Sequence, residues 1–205
     1  MPAEKYFYQP QLGHGLAHDP FNSIIAPRPI GWISSQSAQG QTNLAPYSFF
    51  NAFNYHPPLI GFASVGYKDS LRNIQQTGEF CWSLASMSLA QQMNTSSASV
   101  GPEVDEFELA KLEKQAGKIV SVPFVAESPV AMECKLSDII QLKGASGALC
   151  DSWLVIGEVV GVHIAEAMLL DGVYQTARAQ PILRGGGPGD YFTISDEMKF
   201  FMPRP

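Results

Sequence analysis

Lys68, Asp69 and Ser70 stand in succession just before Leu71 and Ile74, and the apolar spacing stops at Gly78. The pattern predicts a short helix with Asp69 or Ser70 as its N-cap. Amide N–H groups at such a helix start, beside the charge of Lys68 and close to Arg72, form a seat for a phosphate. A capped helix alone is usually no more than a capped helix, so the neighbouring chemistry has to carry the argument. Upstream, Asn43-Leu44-Ala45-Pro46-Tyr47-Ser48-Phe49-Phe50 mixes aromatics with a proline and small polar side chains, which an ordinary core strand does not. Pro46 predicts a sheet edge or a bulge.

Other residue types that could do chemistry are scattered. The three cysteines, Cys81, Cys134 and Cys150, are odd in number, widely spaced and set among apolar or small residues. They read as buried free thiols, neither a disulfide framework nor a metal set. The four histidines, His14, His18, His56 and His163, make no H-x-x-x-H on an expected helix, so no metal site is expected. Gly185-Gly186-Gly187-Pro188-Gly189 has neither the G-x-G-x-x-G nor the G-K-[ST] spacing and reads as a flexible turn. There is no G-x-S-x-G for a serine nucleophile.

The elements that must position the Asn43 to Ser70 groups are mainly strands. RPIGWISS alternates Ile30, Trp32 and Ile33 with small residues and ends at Ser34-Ser35-Gln36, after which QSAQGQT is a turn. Pro57-Pro58 closes the aromatic segment, and LIGFAS (Leu59 to Ser64) begins another strand. EFCWSLA (Glu79 to Ala85), Val130 to Lys143, Trp153 to Ile164 and Tyr191 to Ile194 are further strands. Residues 88–95 are expected to be helical with Ser88 as the cap, and Asp105 to Gln115 to form an amphipathic surface helix of structural role, ended by Gly117. Strands in this number, without regular β-α-β alternation, predict an antiparallel barrel.

A chain of 205 residues with 45% hydrophobic and 16% charged side chains suits one folded domain, here 21–205. Residues 1–20, with Pro2, Pro10, Gly13, Gly15 and Pro20, read as an extended arm able to lie across a partner subunit. The formal net charge of −6 argues against a nucleic-acid surface. The sequence has no apolar run of about eighteen residues for a membrane span and no signal-like start, so the expected location is cytoplasmic.

Taken together, RPIGWISS, the turn ending at Gly40, NLAPYSFFNAFNYHPP, KDSLRNIQQTGEF, GEVVGVHI (Gly157 to Ile164) and PILRGGGPGDY (Pro181 to Tyr191) resemble the flavin reductase-like family. Its fold is an FMN-binding split β-barrel, and the resemblance covers about residues 20–195. It implies that the flavin ring lies along Asn43 to Phe50, with Ala45, Tyr47, Ser48 and Phe49 at the ring. Ser34 or Ser35 and the Lys68 to Asn73 turn, with Ser70, would take the phosphate, and Ser64 completes the expected set. Taken singly, Tyr47, Phe49 and Phe50 fit plain core packing equally well.

The activity implied is an FMN oxidoreductase in which NADH or NADPH donates hydride to the flavin, whose own chemistry requires no obligatory side-chain acid or base. An FMN-bound electron carrier without a nicotinamide site, and a catalytically silent barrel that binds flavin or serves as an interaction module, stand as alternatives. The resemblance also implies a homodimer, and an electron-accepting partner protein or oxygenase as the downstream partner. His163 sits in an alternating apolar strand, where a lone imidazole is more often structural. By resemblance it could instead serve catalysis at the open face of the flavin.

Overall fold

A computed structural model describes residues 3–204. Seven strands form one antiparallel sheet: β1 (Gly31–Gln36), β2 (Thr42–Tyr47), β3 (Phe50–Asn54), β4 (Leu59–Val65), β5 (Glu79–Ser83), β6 (Val130–Lys143) and β7 (Leu149–Ile164). Their order is β2-β1-β5-β6-β7-β4-β3, so chain neighbours pair mostly by hairpins. The sheet curls until β2 approaches β4, giving a barrel that stays open between its edge strands. β2 is one of those edges, which is why Pro46, with no N–H to donate, is tolerated there.

The long strands β6 and β7 meet through the glycine-bearing hairpin at 144–148, where Gly144 N–H donates to the Ala148 carbonyl and Gly147 N–H to the Gly144 carbonyl. Register shifts bend this pair, as the curl requires. At Gly157 the ring of Phe80 lies where a Cβ would stand, so only glycine lets the two strands pack there.

The open barrel is plugged by α1 (Asp69–Thr77). Leu71 and Ile74 are wholly buried against Ile33, Phe62, Phe80 and Val155. Burial of each such side chain contributes about 1.5–3 kcal/mol, and the set fixes where the helix begins. Gly78 ends the helix in the left-handed conformation, its N–H returning to the Ile74 carbonyl.

A second core lies outside the barrel, where Trp32, Leu44, Met93, Phe107 and Val125 pack together. It holds α2 (Ala90–Thr95) and α3 (Glu106–Leu109). Arg28–Pro29, Ile182–Gly186 and Asp190–Thr193 make a separate three-stranded sheet.

Several expectations are corrected. RPIGWISS divides at Ile30, with Arg28–Pro29 pairing to Ile182–Gly186 and not to the main sheet. The glycine-rich segment is half strand, and only Gly187-Pro188-Gly189 turns. Ser88 does not cap a helix over 88–95: a 3-10 turn at Met87–Leu89 leads into α2, and its Oγ bonds Ser86. The helix expected over 105–115 stops after four residues. Lys111 adopts a left-handed φ of 55°, and Leu112 N–H reaches back to the Phe107 carbonyl, a Schellman-type closure. Phe107 and Leu112 are then core residues, and the element is not a surface helix. Cys81 and Cys134 are buried thiols as expected, whereas Cys150 is exposed.

Residues 1 and 2 of the expected arm lie outside the described residues. The remainder is not extended throughout: after a 3-10 turn at Pro10–Leu12 it folds back, the Tyr6 hydroxyl donating to the His14 carbonyl at 3.0 Å, and it exposes Tyr6, Phe7 and Leu12.

Candidate functional site

Beside the start of α1 lies a cavity of about 540 Å³. Its floor is β2 and the corner after it, Asn43, Ala45, Pro46, Tyr47, Ser48 and Phe49; one wall is Tyr67, Lys68, Asp69 and Ser70. The opposite wall is the loop Ser96–Val100 together with Glu106. The volume suits a ligand of drug or nucleotide size.

The start of α1 borders the cavity. Lys68 occupies the N-cap position in extended backbone, and no side chain caps the helix, contrary to the expectation for Asp69 or Ser70. Asp69 instead pairs with Arg72. The first amide N–H groups of a helix have no intrahelical partner, and here no side chain caps them; Lys68 and Ser70 at this end both line the cavity. Ser70 is buried and fixed, accepting from Asn43 Nδ2 at 2.8 Å.

The aromatic end is held from behind. Tyr47 is buried and its ring packs on Phe62 at 4.4 Å between centroids. Burial pushes its hydroxyl pKa up, partly opposed by hydrogen bonds with Ser70 and Ser64. Arg28 clamps the Ser48–Phe49 corner: Nε donates to the Ser48 carbonyl at 3.1 Å, Nη1 donates to the Ile25 carbonyl at 2.7 Å, and the guanidinium lies over the Phe49 ring. The serine loop is tied to the second core, since Trp32 Nε1 donates to Ser96 Oγ at 2.9 Å.

Of the residues expected at the site, Asn43, Ala45, Tyr47, Ser48, Phe49, Lys68 and Ser70 come together in this cavity. Ser34, Ser35, Ser64 and Asn73 do not line it. Ser34 is wholly buried and donates to the Pro123 carbonyl at 2.6 Å. Ser35 accepts from Asn73 Nδ2 at 3.3 Å, which ties α1 to β1. Ser64 Oγ donates to the Gly66 carbonyl at 2.9 Å and shapes the turn into α1. These four support the walls from behind.

His163 also lies outside this cavity. Its Nε2 is 2.6 Å from Glu133 Oε1 and its ring rests against Phe124. Glu133, with no exposed surface, further accepts the amide N–H groups of Lys118, Ile119 and Val120. Burial alone would raise its pKa, but these amides and His163 outweigh it and bring it to about 2. The pair anchors the 118–120 loop to the barrel.

Sequence reasoning missed Glu106, Arg28 and the Ser96–Val100 loop. Glu106 stood inside an expected structural helix and the serines in an expected connector; only the Ser/Ala composition of that connector hinted at a wall that leaves room for a ligand.

A family model for the flavin reductase like domain matches residues 24–182. A relative from Halalkalibacterium halodurans is 37% identical over 169 residues, 80% of this chain and 80% of its own length. Among solved structures, nitrilotriacetate monooxygenase component B of Bacillus cereus is similar at 30% identity and a TM-score of 0.84, covering 97% of this chain and 100% of that one. The 2-nitrobenzoate 2-nitroreductase of Pseudomonas fluorescens follows at 28% identity and a TM-score of 0.79, over 89% and 88% of the two chains. A split-barrel protein of Shewanella frigidimarina matches at 26% identity with a TM-score of 0.79, over 90% of each. The curled, open sheet is therefore the split barrel that the sequence resemblance implied.

Proposed function

We propose, because the chain belongs to the flavin reductase like family, that it is a flavin-dependent oxidoreductase, with FMN held in the 540 Å³ cavity and reduced by NADH or NADPH. The observation that carries this reading is the uncapped start of α1, with Lys68 beside it, facing the same space as the Ala45 to Phe49 strand end.

The residues present fit the group. Lys68 and the first amides of α1 would hold the phosphate, with the Ser97 and Ser99 side of the loop facing it across the cavity. Ala45, Tyr47, Ser48 and Phe49 offer backbone polar groups and aromatic surface to a planar ring. When bound, FMN supplies the hydride-accepting centre of the reaction. The chain's own task is to bind and orient. Arg28 fixes the Ser48–Phe49 corner, and the Asn43–Ser70 bond fixes the distance between the ring side and the phosphate side. Neither contact needs to transfer a proton.

The similarity at 30% identity to a protein named as a monooxygenase component supports an oxygenase as the partner that receives reducing equivalents. The arm's exposed Tyr6 and Phe7, and the exposed Phe53, Val65 and Tyr67 at the β3 and β4 edge, support association into a homodimer.

Anaerobic mixing of the purified protein and FMN with NADH or NADPH tests the activity. Bleaching of the flavin band at a rate that saturates with nicotinamide is the expected result. A protein that stays yellow identifies an electron carrier without a nicotinamide site, and one that retains no flavin identifies a silent barrel.

A further inference from the structure

We infer that Arg28 sets the reduction potential of the bound flavin, its charge acting through the Ser48–Phe49 peptide to favour the reduced ring; this rests on the FMN reading above.

Arg28 is 8% exposed, yet no carboxylate pairs with it among the described residues. All its bonds go to carbonyls, those of Asn22, Ile25 and Ser48. Opposite it in the short strand pair stands Arg184, a like charge whose own bonds go to the Gly186, Gly187 and Asp190 carbonyls. A charge taken out of water is normally paired, so an unpaired one at the back of a site acts on whatever occupies that site.

The route to the cavity is the peptide that Arg28 holds. Nε donates to the Ser48 carbonyl at 3.1 Å, and in a trans peptide the next N–H points the opposite way. The Phe49 N–H is thus turned away from Arg28 and donates to no described residue, while the Phe49 carbonyl accepts from Ala63. Ser48 and Phe49 line the cavity, and Arg28 does not. The polar edge of a flavin ring laid along this corner meets that N–H, with the guanidinium behind it strengthening the donor. The hydride that leaves a reduced nicotinamide carries two electrons and a proton, so the nicotinamide becomes a cation and the ring gains one negative charge. A fixed positive charge favours that form over the neutral oxidised one. The acids that line the cavity, Asp69 and Glu106, act in the opposite sense, and Asp69 is already paired with Arg72.

Dissociation constants of oxidised and reduced FMN, with the midpoint potential of bound FMN from anaerobic dye-coupled titration, test the assignment in wild type, Arg28→Gln, Arg28→Lys and Lys68→Ala. Glutamine can still donate to the Ser48 carbonyl but carries no charge. In Arg28→Gln the affinity for reduced FMN should fall about tenfold relative to that for oxidised FMN, the scale that Coulomb's law gives for unit charges roughly 12 Å apart at an effective dielectric of about 20. The midpoint then drops by about 30 mV, the equivalent of tenfold in a two-electron couple. Arg28→Lys keeps the charge, and Lys68→Ala removes one that faces a phosphate of equal charge in both states; each should change the ratio by less than about threefold. An unchanged ratio in Arg28→Gln, or an equal fall in Arg28→Lys or Lys68→Ala, overturns the inference and leaves the FMN reading intact. Wild type that binds no flavin overturns both. The potential is read from bound FMN alone, so partial unfolding of a variant does not distort it. Should neither Arg28 variant hold FMN, wild type decides: the Phe49 amide proton should move downfield when bound FMN is reduced, and a resonance that stays in place overturns the inference.

Discussion

Lys68 is the one cation among the described residues that line the cavity, and it is the N-cap residue of a helix that no side chain caps. Lys68→Ala should weaken FMN about tenfold, the low end for a charge-assisted hydrogen bond because the side chain is exposed to water. Riboflavin, with no phosphate, should bind both proteins alike; equal weakening of the two ligands in equilibrium titrations would remove the phosphate from this end. Lys68, Ser70, Asn43 and Tyr47 were legible in the sequence because a strand, a turn and a helix start bring them together within one contiguous stretch. Ser34, Ser35, Ser64 and Asn73 belong to the same stretch, but strand alternation and helix phase turn them toward neighbouring elements, a direction that residue type does not reveal. Glu106 and Ser96 reach the cavity only through contacts made far along the chain, such as Trp32 to Ser96 and Leu44 to Glu106. No local pattern records those.

The loop at 118–120 depends on a single carboxylate in β6. Glu133→Gln replaces an acceptor of three amides and His163 with a group that accepts through one atom only. The expected loss is about 1–3 kcal/mol, measurable as a lower denaturation midpoint. The same carboxylate sets an acid limit. Its folded pKa of about 2 lies below the ordinary 4.5, so its stabilisation is complete above pH 4.5 and fades as pH falls from there toward 2. Melts of wild type and Glu133→Gln should therefore converge across that window, and a gap unchanged down to pH 2 would contradict the assignment. His163→Asn should lower the melting temperature with little change in FMN reduction by NADH or NADPH. A tenfold fall in that rate with an unchanged melt would return His163 to catalysis. Long elements were readable: β6 was expected at its observed bounds, and α1 ends at Gly78 as its glycine suggested. The helix after Asp105 was overextended because Phe107, Leu109 and Leu112 fit a 3.6-residue period, while the left-handed Lys111 that breaks it carries no signature of its own.

At the scale of the whole molecule, the antiparallel barrel followed from strand number and the lack of β-α-β alternation. The separate sheet built from Arg28–Pro29, Ile182–Gly186 and Asp190–Thr193 did not, because pairs so short bury little alternating surface to read. The exposed aromatic arm and the β3 and β4 edge predict a symmetric pair of 22.3 kDa chains. Sedimentation at micromolar concentration should give the dimer mass, and a monomer that still holds FMN would contradict it. The central claim is the placement of FMN between α1 and the serine loop, and a crystal structure of the FMN-bound protein tests it most directly. The account predicts the phosphate within hydrogen-bond distance of Lys68 Nζ and the amides at the start of α1, with the ring along Ala45 to Phe49. A flavin seated instead in the apolar cavity beneath Trp82 and Leu84, with the α1 start bound only to water, would contradict it.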